Sequence, residues 1–90
     1  MFYFYILQCA DNKWYYGYTS NLKKRLLEHQ EGKNRATKPR RPLKLVYYEE
    51  CDSKIAAIKR ERQFKQGRTR KSTIDKLIAE FPVDRLSEFQ

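Results

Sequence analysis

The chain has 90 residues and a mass of 11.0 kDa, below the usual span of roughly 100–200 residues per domain, which excludes a multi-domain enzyme. A chain this short buries only roughly 60–65% of the surface its unfolded form exposes, so a deep enclosed cofactor cavity is excluded and any active site is expected to be shallow. Hydrophobic residues at 40% and aromatics at 14% exclude a disordered tail even at a mean hydropathy of −0.93. Twenty Lys and Arg against eleven Asp and Glu leave a net charge of +9 and a pI of about 9.7, which points to an anionic polymer as partner, nucleic acid first.

An acidic membrane surface is the rival anion, yet no apolar run approaches the roughly eighteen residues of a spanning helix, so no membrane is expected. The apolar start, Phe2 to Leu7, has no basic region before it and no small-residue cleavage pattern after it. It does not read as a signal peptide, and cytoplasm is the expected compartment. Cys9 and Cys51 lie in or beside strand-like stretches and are expected to be buried, reduced thiols. With one histidine and no CxxC pair, a structural zinc site of the common spacings is excluded.

In chain order, Phe2 to Cys9 (FYFYILQC) is aromatic and branched, Asp11-Asn12-Lys13 has turn chemistry, and Trp14 to Thr19 (WYYGYT) is again β-rich, which predicts a hairpin. Ser20 or Asn21 caps a first helix over Leu22 to Glu31, stopped by Gly32. From Gln30 to Pro42 there is no apolar periodicity, and Lys33, Arg35, Lys38, Arg40 and Arg41 sit among Gly and Pro, the pattern of a basic loop. Leu43 to Cys51 (LKLVYYEEC) predicts a third strand, and Asp52 or Ser53 caps a second helix from Lys54 to about Gln66, with Gly67 past its end. Ser72 and Thr73 open a last helix through Phe81, with Ser72 and Asp75 at capping-box spacing and Pro82 as its stop. The order β-β-α-β-α-α predicts an α+β fold, a small three-stranded antiparallel sheet flanked by helices, with one domain over residues 1–81 and a C-terminal tail over 82–90 that packs through Leu86 and Phe89.

Charge concentrates in two tracts. Beside the loop, Lys59 to Lys71 (KRERQFKQGRTRK) carries seven basic side chains and a single acid, Glu61. Two basic segments in so short a chain, with tyrosines available to stack on bases, fit a surface that follows phosphates. The residues expected to touch nucleic acid are Tyr18, Lys33, Arg35, Lys38, Arg40, Arg41, Arg62, Lys65, Arg68 and Arg70.

Glu61 is singular because at 100° per residue it falls within the arc of Ala57, Ile58 and Phe64, the apolar stripe of the second helix. A carboxylate turned toward a core is costly unless it is paired or coordinates a metal. One explanation is an ion pair with an arginine of the first helix; the other is a ligand for a hard divalent cation such as Mg²⁺, held by one or two carboxylates, waters and phosphate oxygens. Arg25 and His29 are i, i+4 neighbours flanking the Leu22 and Leu26 stripe, so both can reach over one edge of the sheet. Strand alternation puts Tyr3, Tyr5 and Leu7 on one face and Tyr15, Gly17 and Thr19 on one face, and an even register would bring the two sets together.

Tyr5, then Tyr15-Tyr16-Gly17 ten residues on, Arg25 after another ten, His29 one turn later and Glu61 in the next helix resemble the GIY-YIG nuclease domain, over about Phe2 to Ile78. The segments YIL, YYGYT, RRPLKLVYYEE and RERQFK are similar to its small stand-alone bacterial (YhbQ-like) subfamily. The resemblance implies a metal-dependent phosphodiesterase acting on DNA, with one divalent ion, Mg²⁺ or Mn²⁺, in a shallow basic groove. It implies that Glu61 is the metal ligand, that Arg25 stabilises charge on the scissile phosphate, and that Tyr15 takes a proton from the attacking water. Tyr5 would line the same site, and His29 would assist proton transfer or positioning.

Here Tyr3-Phe4-Tyr5 stands for Gly-Ile-Tyr and Tyr16 for the central Ile of the second motif, which are packing changes; Tyr18 stands where several relatives carry a lysine. The expected function is a structure-selective or weakly sequence-specific DNA endonuclease in repair or nucleic-acid processing. The alternatives are a nucleic-acid-binding module without turnover, with RNA as a further ligand, and a domain that docks on a repair protein supplying specificity.

Overall fold

The computed structural model describes residues 1–89. Among the described residues, strands β1 (Phe2–Gln8), β2 (Trp14–Thr19) and β3 (Lys44–Cys51) form one antiparallel sheet in the order β2-β1-β3. Helices α1 (Leu22–Gln30), α2 (Lys54–Lys65), α3 (Lys71–Glu80) and α4 (Val83–Ser87) complete the α+β architecture.

The central strand β1 is nearly all apolar, FYFYILQ, because both of its faces are covered. Phe4 and Ile6 join Tyr47, Ala57, Phe64 and Ile74 in one core beneath α2 and α3. Tyr5 and Leu7 join Leu22, Leu26, Leu45 and Tyr48 in a second core on the α1 side. Full burial of such side chains contributes about 1.5–3 kcal/mol each, so a chain this small depends on both faces of one strand.

The hairpin has the even register: Tyr3 pairs with Thr19, Tyr5 with Gly17 and Leu7 with Tyr15. Its turn is held by Asp11, whose carboxylate accepts from the Lys13 amide at 3.0 Å, and by Asn12 at φ 64°. β2 passes into α1 within two residues: the Thr19 hydroxyl accepts from the Asn21 amide at 3.1 Å, and the Asn21 side chain caps the helix by accepting from the Lys24 amide. Arg25 and His29 are thereby aimed relative to β2. Ser53 caps α2 in the same way, accepting from the Ala56 amide.

Three segments differ from the sequence expectation. α3 begins at Lys71 after an extended Arg70, with no side-chain cap at Arg70, so Ser72 lies inside the helix. It ends at Glu80, because Phe81 precedes Pro82 and takes the extended backbone that proline imposes on its neighbour; the ring of Phe81 then packs edge-on against Tyr47 and Tyr48 at 5.2 and 5.0 Å. The basic loop is not featureless, since Lys38–Arg40 forms a 3₁₀ turn and Thr37 is fully buried. The segment after Pro82 contains α4, with Leu86 and Phe89 against the second core; Gln90, the last residue of the expected tail, lies outside the described residues. Cys9 and Cys51 are buried free thiols, as expected.

An ion pair absent from the sequence reading ties α2 to β3. Arg60 donates to both carboxylate oxygens of Glu49, Nε at 2.8 Å and Nη2 at 2.6 Å, and its guanidinium lies 5.1 Å from the centre of the Phe64 ring. The Tyr47 hydroxyl donates to the same carboxylate. Bidentate geometry over an aromatic ring raises this pair above an ordinary surface bridge. Arg60→Ala is expected to lower unfolding free energy by about 1–2 kcal/mol in urea titration, whereas Lys59→Ala, on an exposed position of the same helix, should leave the midpoint almost unmoved.

Candidate active site

The edge strand β2 lies between two helices packed on opposite faces of the sheet, and a shallow cleft of about 450 Å³ straddles it. β1 and β2 supply Tyr5, Tyr15 and Tyr18, α1 supplies Arg25, and α2 supplies Glu61. All five were singled out from sequence, and the fold brings them together. Lys54, in the first turn of α2, also lines the cleft and was missed. The signal was present: Lys54 precedes Glu61 by seven residues, two turns along the same helix face.

His29 lies beneath the cleft and is fully buried. Its Nε2 is 2.9 Å from the Tyr5 hydroxyl and its Nδ1 is 2.8 Å from the Thr37 hydroxyl, while its ring meets Tyr15 edge-on at 5.3 Å. Thr37 escaped the sequence reading because nothing in KNRATKPRR marks one hydroxyl as buried. Burial, and then the nearby Arg25 charge, lowers the His29 pKa from 6.5 to about 4, so the ring is neutral at pH 7. Burial raises the Tyr5 phenol above its ordinary range, and the neighbouring Tyr15 adds to this, so Tyr5 keeps its proton.

Two proton arrangements satisfy this chain. In one, Tyr5 donates to Nε2 and Nδ1–H donates to Thr37; in the other, Thr37 donates to Nδ1 and Nε2–H donates to Tyr5, which frees the phenolic proton for the cleft.

Glu61 does not take the arginine of α1 as its ion partner. Its carboxylate lies 3.6 Å from Lys65 Nζ one turn along α2, and Arg25 Nε lies 3.6 Å from Glu28 within α1. Lys65 Nζ is also 5.8 Å from the Tyr15 ring centre, which puts this basic residue beside the cleft. No group of three or more His, Cys, Asp or Glu that could hold a metal occurs among the described residues. One carboxylate in an open cleft fits a cation that keeps most of its water and takes substrate oxygens, as Mg²⁺ does, and does not fit an all-protein cage.

The other basic residues are distributed elsewhere. Lys33, Arg35, Lys38 and Arg41 border a hollow on the loop, and Arg62 and Arg68 border another along α2. Arg40 is paired with Asp11 at 3.4 Å, and Arg70 is the N-terminal flank of α3. Arg41 donates to the carbonyls of Lys38 and Gln30, at 3.0 and 3.2 Å, and so staples the loop.

Residues 1–74 match the profile of the GIY-YIG catalytic domain. The chain belongs to the GIY-YIG family. It is 51% identical over 74 residues to a UPF0213 protein of Pediococcus pentosaceus, covering 81% of this chain and 77% of that one. UPF0213 proteins of Streptococcus pyogenes reach the same identity over 69 residues, 76% of this chain and 75% of theirs. The solution NMR structure of a UPF0213 protein from Bacillus halodurans superposes with a TM-score of 0.54 at 33% identity, over 88% of this chain and 84% of that one. The family is one of nucleases, which makes hydrolase the enzyme class and nucleic acid the substrate class. No helix among the described residues is long and apolar enough to cross a membrane.

In this GIY-YIG domain the two name-giving motifs explain each other. Tyr5 and Gly17 are cross-strand partners, and a Cβ built on Gly17 would lie 2.5 Å from the Tyr5 hydroxyl and 2.6 Å from Cζ. Glycine is required there because the phenol crosses over it to reach His29. Tyr3 and Tyr16, two departures from the motif letters, pack edge-on against Tyr48 at 6.1 Å and at a tilt of 49° against Phe64 at 5.4 Å.

Gly17→Ala is therefore expected to push Tyr5 off His29, cost about 1–3 kcal/mol of stability, and shift the His29 ring resonances in NMR spectra. His29 also makes stability depend on pH. The unfolded chain takes up the imidazole proton near 6.5 and the folded chain only near 4, so in that window the unfolded state binds more protons and stability falls as pH falls. Chemical denaturation from pH 7 to 4 should show a loss of up to about 3 kcal/mol attributable to this group, and the loss should shrink by that amount in His29→Gln.

Proposed function

We propose that this chain is a divalent-metal-dependent endonuclease that hydrolyses phosphodiester bonds in DNA, with structure selectivity or weak sequence specificity, in repair or related nucleic-acid processing. The observation that carries the reading is the meeting of one carboxylate, Glu61, with Arg25, Lys54 and three tyrosines in a single open cleft of a strongly basic chain.

Glu61 would hold one Mg²⁺ or Mn²⁺; its i, i+4 pair with the half-exposed Lys65 contributes only about 0.3–0.5 kcal/mol and does not bar a divalent ion from the carboxylate. The ion, when bound, supplies charge neutralisation for the phosphate and the leaving oxygen. Arg25 and Lys54 place positive charge on the non-bridging phosphate oxygens, where negative charge grows in the transition state. Tyr15 takes the proton from the attacking water. Tyr5, neutral and fixed between Gly17 and His29, orients water or phosphate as a hydrogen-bonding group and does not act as a base. His29 and Thr37 are positioning residues: they hold the Tyr5 hydroxyl and set the direction of its proton.

Cleavage of single-stranded, duplex, flap and branched DNA in Mg²⁺, Mn²⁺ or EDTA tests this reading. Cutting is expected to require the metal, to fall by about 10²–10³-fold in Arg25→Ala, and to vanish in Glu61→Gln while DNA binding persists. Metal-independent cutting, or full activity in Glu61→Gln, would overturn it. Thr37→Val should lower kcat with little change in KM and alter the pH profile, whereas Thr37→Ser should restore both.

A further inference from the structure

The two basic tracts look equivalent in the sequence, but their placement around the cleft is not. The cleft shares Arg25 with a smaller adjoining hollow of about 200 Å³ lined by Arg25, Glu28, Lys33 and Asn34. That hollow in turn shares Lys33 with a third, of about 530 Å³, on the loop, whose basic lining is Lys33, Arg35, Lys38 and Arg41. Three open depressions thus run end to end from the tyrosines to the loop. The acids along the way are Glu61 in the cleft, Glu28, paired with Arg25 at 3.6 Å, and Glu31, paired with Lys33 at 3.2 Å.

The second tract leads elsewhere. Lys59, Arg62 and Arg68 border a hollow with no lining residue in common with the cleft. On a helical wheel at 100° per residue, Lys54, Glu61 and Lys65 cluster on one side of α2, and Lys59, Arg62, Gln63 and Gln66 centre about 120° away from them.

We propose that the DNA strand carrying the scissile phosphate leaves the cleft over the loop, its phosphates following Arg25, Lys33, Arg35 and Lys38, and that the outer face of α2 is not on this path. The inference rests on the nuclease reading of the cleft and adds to it a route for the flanking strand. The loop suits the task because its backbone is fixed from within: Thr37 is buried on His29, and Arg41 ties two carbonyls together, which leaves Lys33, Arg35 and Lys38 exposed on a shaped support.

Each neutralised phosphate contributes about 0.7–0.9 to the slope of log affinity against log salt, so a path can be counted. The experiment compares the wild-type chain, the triple variant Lys33→Gln, Arg35→Gln, Lys38→Gln, and the triple variant Lys59→Gln, Arg62→Gln, Arg68→Gln, which lose the same charge. Binding of a fluorescein-labelled flap oligonucleotide is followed by anisotropy in EDTA from 50 to 300 mM salt, roughly the range over which phosphate contacts separate, and thermal melting verifies folding. The loop variant should lose at least about tenfold in affinity at low salt, with a slope shallower by about 2–3, while the α2 variant should stay within about twofold of wild type. Equal losses in the two variants, or a larger loss in the α2 variant, would overturn the path while leaving the nuclease reading intact. No salt-dependent binding by the wild-type chain would overturn both.

Discussion

A buried polar chain runs from Tyr5 through His29 to Thr37, joining the central strand, the first helix and the loop that follows it. In a small core, unpaired polar atoms are costly, so each of these three groups is held by the need of its neighbours. That requirement reaches outward. Tyr5 can meet His29 only by crossing Gly17, which dictates both the glycine and the register of the hairpin. His29 is delivered by a helix whose start is tied to the end of β2 by Thr19 and Asn21. The same polar chain underlies the floor of the cleft, so what stabilises this side of the sheet also shapes the site.

The opposite face solves a different problem with a different device. There the Glu49–Arg60 pair, capped by the Tyr47 hydroxyl and two aromatic rings, anchors α2 against β3. Because Arg60 faces β3, Glu61, 100° further round the helix, is directed toward the edge strand and the open cleft. The carboxylate that looked anomalous on an apolar stripe is therefore at the margin of the core, with its side chain 16% exposed and Lys65 as its ion partner.

Much of this was legible in the chain before any coordinates. The strands announce themselves through β-branched and aromatic runs, the helix wheels put Arg25 and His29 over one edge and Glu61 on the apolar stripe, and the family resemblance joined the three in one site. The register could be posed as a choice between even and odd, and the structure takes the even one. What could not be read depends on contacts between residues distant in sequence. Thr37 sits in a segment with turn-like composition, and only the fold reveals that its hydroxyl meets a histidine eight residues earlier. Arg60 and Glu49, eleven residues apart on a strand and a helix, carry no periodic mark, whereas Arg25 and Glu61 suggested a pairing that the helices satisfy internally. Ser72 offers a capping signal, but the extended residue before α3 is Arg70, so the helix starts at Lys71 and Ser72 lies inside it.

The loop between α1 and β3 shows how a polycationic segment can be rigid. Left free, a run such as KNRATKPRR would be a mobile tether that must be immobilised on meeting its ligand, at about 1–2 kcal/mol of backbone entropy per residue. With Thr37 sunk into the interior and Arg41 folded back onto two carbonyls, most of that ordering is completed when the domain folds. The amines and guanidinium groups above are thereby carried on an ordered backbone, and a ligand meeting them would not have to order it. Rigidity of this kind is set by the domain's own fold, through one buried hydroxyl and one folded-back guanidinium.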